Sequence, residues 1–170
     1  TDNTAYPWFA PAGWDRGAID GVKPKKTLKL DEQDTLYAGG LNFVQSFAQE
    51  GFRLWGQKNF QIADTQMNRI ATRRLLLQLR KLISIACIKL IFEPNNNTTK
   101  ETFKSLVNPI LENVFNNRGI SDFRIDVDDS VEARDRHELP AKIWIKPIGA
   151  LEYIDINFMI TPEGASFDDY

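Results

Sequence analysis

Apolar positions recur with two different rhythms along this chain. From Asn68 to Ala86 they keep a helical period. At about 100° per residue, Ala71, Leu75, Leu79, Leu82 and Ala86 fall on one side, flanked by Leu76 and Ile83. That spacing predicts one long helix. A second helical stripe comprises Phe103, Leu106, Val107, Ile110, Leu111, Val114 and Phe115. It predicts a helix from about Thr99 to Asn117. Thr98 and Glu101 have the spacing of a capping box, Pro109 should kink or break the helix, and Gly119 should end it. From Ile120 the period falls to two. Phe123, Ile125 and Val127 alternate with Arg124, Asp126 and Asp128, and Ile143 and Ile145 with Trp144 and Lys146. A last run from Tyr153 to Ile160 also reads as a strand. Pro147 and Gly149 lie between the last two strands and suit a hairpin or a bent connection.

The first third is built differently. Pro7, Pro11, Gly13, Gly17, Gly21 and Pro24 interrupt any long element, and Trp8, Phe9 and Trp14 are the expected anchors of this loop. Asp31 to Gly39 has the acidic start and glycine stop of a short helical turn. Phe52 to Trp55, bounded by Gly51 and Gly56, reads as a short strand. The order predicts an α+β domain: two main helices packed on a small mixed or antiparallel sheet, with an extended C-terminal strand or arm. Thr161 to Tyr170 reads as a loose acidic tail.

At 170 residues the chain is long enough for one domain with a real core. Net charge is −2, which argues against a general polyanion binder. The charge is uneven, however. Residues 65–92 hold six basic and no acidic side chains, whereas residues 93–170 hold eight basic and fifteen acidic ones. Such asymmetry favours contact with copies of the same chain or with a charged partner through opposite patches. Arg69, Arg73 and Arg80 fall within a narrow arc opposite the apolar side of the long helix, with Arg74 and Lys81 beside it. Cations so early in a helix are not explained by its dipole. A solvated face and a docking face are both open on periodicity alone. A nucleic acid would suit guanidinium groups, but the stripe lacks interleaved aromatics, so an acidic protein surface suits it better.

Catalytic and cofactor signals are weak. His137, the single histidine, lies among exposed charges with Asp135 and Glu138, and neighbouring loop residues rarely converge on one metal ion. Asp126, Asp128 and Asp129 lack the glycine and terminal glutamate of a calcium loop. No glycine-rich phosphate loop occurs. Asn97-Thr98-Thr99 fits a glycosylation acceptor, but a helix cap is the preferred reading. The single cysteine, Cys87, reads as a small buried hydrophobe, and no run is long enough to span a bilayer. No cofactor, metal, enzymatic activity or small-molecule substrate is expected. The chain starts without methionine and mid-pattern at Tyr6-Pro7-Trp8, and a fragment of a longer protein is expected.

Taken in order, several stretches resemble the C-terminal region of contractile tail sheath proteins of phages. They are Trp8-Phe9-Ala10-Pro11-Ala12-Gly13-Trp14-Asp15-Arg16-Gly17, Leu36-Tyr37, Leu41-Asn42, Gly51-Phe52-Arg53-Leu54-Trp55-Gly56, Arg73-Arg74-Leu75 and Phe92-Glu93-Pro94-Asn95. The paired strands after Ala141 complete the series. The order and spacing carry the resemblance, since no single motif is specific. It implies a structural subunit that stacks as hexameric rings around a tail tube and contracts to drive the tube through the host envelope. It places the protein in the virion, assembled in the host cytoplasm, with other sheath subunits and the tube protein as partners and no membrane partner. It implies a core domain over residues 1–150 and an arm and tail over residues 151–170, with the N-terminal part of the protein elsewhere. The arm residues would be Tyr153, Ile154, Ile156, Phe158 and Ile160, adding a strand to a neighbour's sheet near Phe123–Val127 and Ala141–Lys146. Arg69, Arg73, Arg80 and Lys81 are the tube-facing candidates. Arg74 is equally a candidate for a structural ion pair with Glu93. Sheaths of bacteriocins and of type VI secretion share the architecture, and a nucleic-acid-binding module using helix 69–81 is the alternative from another class.

Overall fold

A computed structural model describes residues 6–21, 24–128, 130, 133 and 135–156. Two antiparallel sheets and three α-helices make up the fold among the described residues. The first unit contains β1 (Ala18–Ile19), α1 (Leu30–Ala38), β2 (Phe43–Phe47) and β3 (Gly51–Trp55), with the strands in the order β1-β3-β2. The second contains α2 (Ile70–Cys87), α3 (Asn97–Asn116), β4 (Ile120–Val127) and β5 (Ala141–Pro147), with β4 paired to β5. The sheets are therefore antiparallel and separate, which resolves the mixed-or-antiparallel expectation.

The core lies between α2, α3 and the inner face of β4–β5. Leu75, Val107, Leu111, Val114 and Ile120 are its most deeply buried side chains, joined by Trp8, Leu79 and Phe103. Full burial of each aliphatic side chain contributes roughly 1.5–3 kcal/mol. Phe123, Ile125, Val127, Ile143 and Ile145 pack partly buried against this cluster. The period-two pattern thus places alternate residues of both strands inward. Their neighbours face outward as cross-strand pairs, Asp122 with Lys146, Arg124 with Trp144 and Asp126 with Lys142.

Helix α2 turns its buried side slightly away from the predicted stripe. Thr72 is buried and Ile83 and Cys87 pack on the core, whereas Leu82 is 37% exposed. Leu79 and Ile83 share the core cluster with Phe103, Val107 and Leu111 of α3. Helix α3 starts two residues earlier than the capping-box spacing suggests. Its cap is Asn96, whose side chain accepts from the Thr99 amide at 3.0 Å. It also runs through Pro109 without ending. Residues on both sides of that proline, Val107 and Leu111, are completely buried, so packing holds the helix across the missing amide.

The C-terminus of α3 closes by a Schellman motif: the Gly119 amide donates to Val114 at 2.8 Å and the Arg118 amide to Phe115 at 3.1 Å. The left-handed residue is Arg118, with φ 60°, not the glycine. Gly119 is needed for a steric reason, since a Cβ there would lie 2.5 Å from Val114 Cγ1 and 3.1 Å from the Trp8 ring. Cys87 is half-buried, and burial pushes its thiol pKa up. The charged connection between β4 and β5 is not wholly solvated: Ala133 is 1% exposed and anchors it.

Candidate assembly surfaces

Helix α2 presents its basic side chains to solvent. Arg73, Arg74, Arg80 and Lys81 are exposed, and none makes an ion pair among the described residues. Exposed apolar side chains, Leu77, Ile85 and Ile88, lie among them. The outer face of α2 is therefore a mixed basic and apolar surface.

Arg69 does not belong to that face. It caps α2 from outside the helix with an extended backbone, φ −98° and ψ 134°. Its guanidinium turns toward the segment that follows β5. Nε donates to Glu152 Oε1 at 2.6 Å and Nη2 to Glu152 Oε2 at 3.0 Å. This is a bidentate, half-buried pair, with side-chain exposures of 22% and 15%. Gln57, itself buried, donates a third hydrogen bond to Glu152 Oε1 at 3.0 Å. Nη1 of Arg69 also contacts Asn68 Oδ1 and lies 3.7 Å from Asp64. Burial opposes the charge on Arg69, but the bond and the attraction from Glu152 outweigh it and raise the guanidinium pKa. Tyr37 faces the same carboxylate. Burial first, and then the Glu152 charge, push its phenol up to about 12.

Beyond Glu152 the chain leaves the body. Residues 153–156 join no strand, and Tyr153, Ile154 and Ile156 are 72%, 73% and 66% exposed. The expected strand is thus absent from the described part of this segment within its own chain. Phe158 and Ile160 lie outside the described residues. Sheet β4–β5 has only two strands among the described residues, so each of them keeps one unpaired edge.

Comparison with known proteins fits this arrangement. The sequence model of the phage tail sheath C-terminal domain matches residues 63–161. The chain is also 37% identical over 171 aligned positions to the tail sheath protein of Vibrio phage KVP40, an alignment covering 98% of this chain and 26% of that protein. The chain belongs to the phage tail sheath family. It is 31% identical to the tail sheath protein of Enterobacteria phage T4, over 99% of this chain and 26% of that one. The chain therefore spans about a quarter of the length of these curated relatives. Two solved structures share the fold. One is a sheath complex of an extracellular contractile injection system, PVC, in its contracted state, with TM-score 0.81 and 21% identity over 90% of this chain and 46% of that one. The other is the contracted helical sheath of the anti-feeding prophage, with TM-score 0.81 and 19% identity over 93% of this chain and 46% of that one.

The stretches that carry the resemblance have physical roles in this sheath domain. The Arg16 side chain donates to the Ala10 carbonyl at 2.8 Å and stacks over Phe9. Gly17 lies so close to the Gly13 and Leu54 carbonyls that a Cβ would sit 2.6 Å from both. The Leu54 amide donates to the Gly17 carbonyl, which ties this loop to β3. Asn42 holds Lys58 by two bonds, 2.7 Å to its carbonyl and 2.8 Å from its amide. The expected ion pair of Arg74 with Glu93 does not form. Both side chains are exposed, and a full helix length separates Arg74 near the start of α2 from Glu93 beyond its end. The Phe92–Asn95 turn is instead held by backbone bonds and by Asn95, which donates to the Glu138 carbonyl at 2.9 Å.

Glu152 and Gln57 escape a reading of the sequence. The available signal was that Glu152 is the single acidic residue between Leu139 and Ile154, set in the apolar run Ala150-Leu151. An isolated carboxylate in such a run needs a partner.

Proposed function

We propose that this chain is the C-terminal domain of a contractile tail sheath subunit, a structural protein rather than an enzyme. The subunit stacks with copies of itself in hexameric rings around the tail tube of a virion. It assembles in the host cytoplasm and contracts to drive the tube through the host envelope. Residues 151–170 act as the arm, with Tyr153, Ile154 and Ile156, followed by Phe158 and Ile160, adding a strand to a neighbouring subunit. One observation carries this reading. In a chain of the sheath family, an exposed segment carrying Tyr153, Ile154 and Ile156 leaves the body after a sheet that has two strands among the described residues. Strand addition satisfies backbone groups on both partners and demands little of the sequence. The exposed basic residues of α2, Arg73, Arg80 and Lys81, supply the surface that meets an acidic tube.

The test is deletion of residues 153–170 from the full-length protein. Electron micrographs should then show no sheath cylinders, while the wild type forms them. Normal cylinders from the deletion variant would sink the arm assignment.

A further inference from the structure

We infer that Arg69 and Glu152 form the root of the arm and couple it mechanically to helix α2. The inference rests on the arm reading above. Three hydrogen bonds converge on Glu152, two from Arg69 and one from buried Gln57. The residues immediately after it, Tyr153 and Ile154, are more than two-thirds exposed. The boundary between body and arm is therefore sharp and falls after Glu152 rather than at position 151.

The partners of Glu152 decide where a pull on the arm is delivered. Along the chain, residue 152 follows β5, so an unanchored arm would load the end of β5. The bidentate pair gives a second, shorter route. Arg69 is the N-cap residue of α2, and the Arg73 amide donates to the Arg69 carbonyl at 3.1 Å as the helix begins. Arg69 is also bridged to Lys58, and the Ile70 amide donates to the Gln57 carbonyl at 2.7 Å. Displacement of the arm thus reaches both the first turn of α2 and the exit of β3. The first turn of α2 carries Arg73, one of the exposed basic residues. A neighbour that pulls the arm would move the basic helix face in the same step. Arg69 and Glu152 are positioning residues in this scheme: they touch neither neighbour nor tube.

The experiment uses the full-length sheath protein with Glu152→Gln, Arg69→Gln and the charge swap Arg69→Glu/Glu152→Arg. The swap keeps a hydrogen-bond match with Gln57, whose Oε1 is buried without a hydrogen-bond partner among the described residues and can accept from a guanidinium at 152. Amide exchange is read on soluble subunits and sheath length in electron micrographs. Each single variant should speed exchange at the hydrogen-bonded Ile70 and Arg73 amides at least about tenfold, since exchange there proceeds by local opening. Exchange at Val107 and Leu111 should not change, which separates loss of the root from loss of the fold. Single variants should give short or no cylinders, and the swap should restore both readouts. If the single variants match the wild type in exchange and length while deletion of 153–170 still abolishes cylinders, the root is wrong and the arm stands. If the deletion itself leaves cylinders intact, the arm reading and this inference fall together.

Discussion

The indole of Trp8 donates to the backbone carbonyl of Asn117 at 2.9 Å, across 109 positions of sequence. The same ring covers Gly119, where no side chain could fit. One tryptophan thus caps the end of α3 and joins the N-terminal loop to the core. Trp8→Ala should cost about 3–5 kcal/mol, the range for removing a large buried aromatic. Gly119→Ala should cost about 1–3 kcal/mol by overpacking, without any left-handed backbone strain, because the glycine's φ is ordinary. Chemical denaturation of the domain measures both. A Gly119→Ala variant as stable as the wild type would mean that Val114 and Trp8 yield more easily than their burial implies.

Tyr37 predicts an alkaline limit. Its phenol pKa is raised from 10.0 to about 12 in the folded protein. A raised folded value means that the stabilisation is complete below pH 10 and is lost as pH rises toward about 12. Between these limits the unfolded chain releases the proton and the folded one keeps it. Tyr37→Phe should therefore remove part of the alkaline loss of stability. It should also abolish the late step in a tyrosine absorbance titration. The Glu152→Gln variant should lower the midpoint of that step, since the carboxylate charge is one of its causes.

At the acid end the informative pair is Asp122 with Lys146, 2.8 Å apart across β4–β5. The hydrogen bond from Lys146, and then its charge, hold the Asp122 carboxyl below its ordinary 3.8. A depressed folded value gives a contribution present above pH 3.8 and lost as pH falls through the lower folded value. Both side chains are exposed, so the effect on global stability is small. The direct check is a carboxyl titration by NMR. The Asp122 midpoint should lie below 3.8 in the wild type and move upward in Lys146→Met.

These predictions fall largely on contacts that sequence periodicity does not reach. The two helices, β4 and β5 are legible because their apolar residues face one core at regular spacing, and β3 because Gly51 and Gly56 bound a short alternating run. Strand β2 is not, since Phe43-Val44-Gln45-Ser46-Phe47 is partly buried on both faces and shows no clean alternation. Pro109 misleads because burial of Val107 and Leu111 outweighs a local helix penalty. Arg69 misleads for a related reason. Helical phase places it with Arg73 and Arg80, but the helix begins at Ile70, and one step outside it the side chain points to a carboxylate 83 positions away. Phase arguments hold only inside the element, and element ends are what they locate worst.

That correction leaves a narrower basic surface to test. Arg73 and Arg80 are exposed and make no ion pair among the described residues, so reversing both charges should leave the fold intact. Unfolding midpoints should shift by less than about 0.5 kcal/mol equivalent, the usual range for surface changes. Assembly around an acidic tube should respond quite differently. In low salt, Arg73→Glu/Arg80→Glu should slow or prevent cylinder growth on isolated tubes. Raising ionic strength should shrink the difference from the wild type as the screening length falls. The Arg69→Gln variant provides the contrast. Its defect comes from a half-buried pair, which salt screens far less, so it should persist at high salt. If reversing Arg73 and Arg80 leaves growth on tubes unchanged at every salt concentration, the outer face of α2 does not meet the tube. Its mixed basic and apolar character would then be explained by contact with a neighbouring subunit.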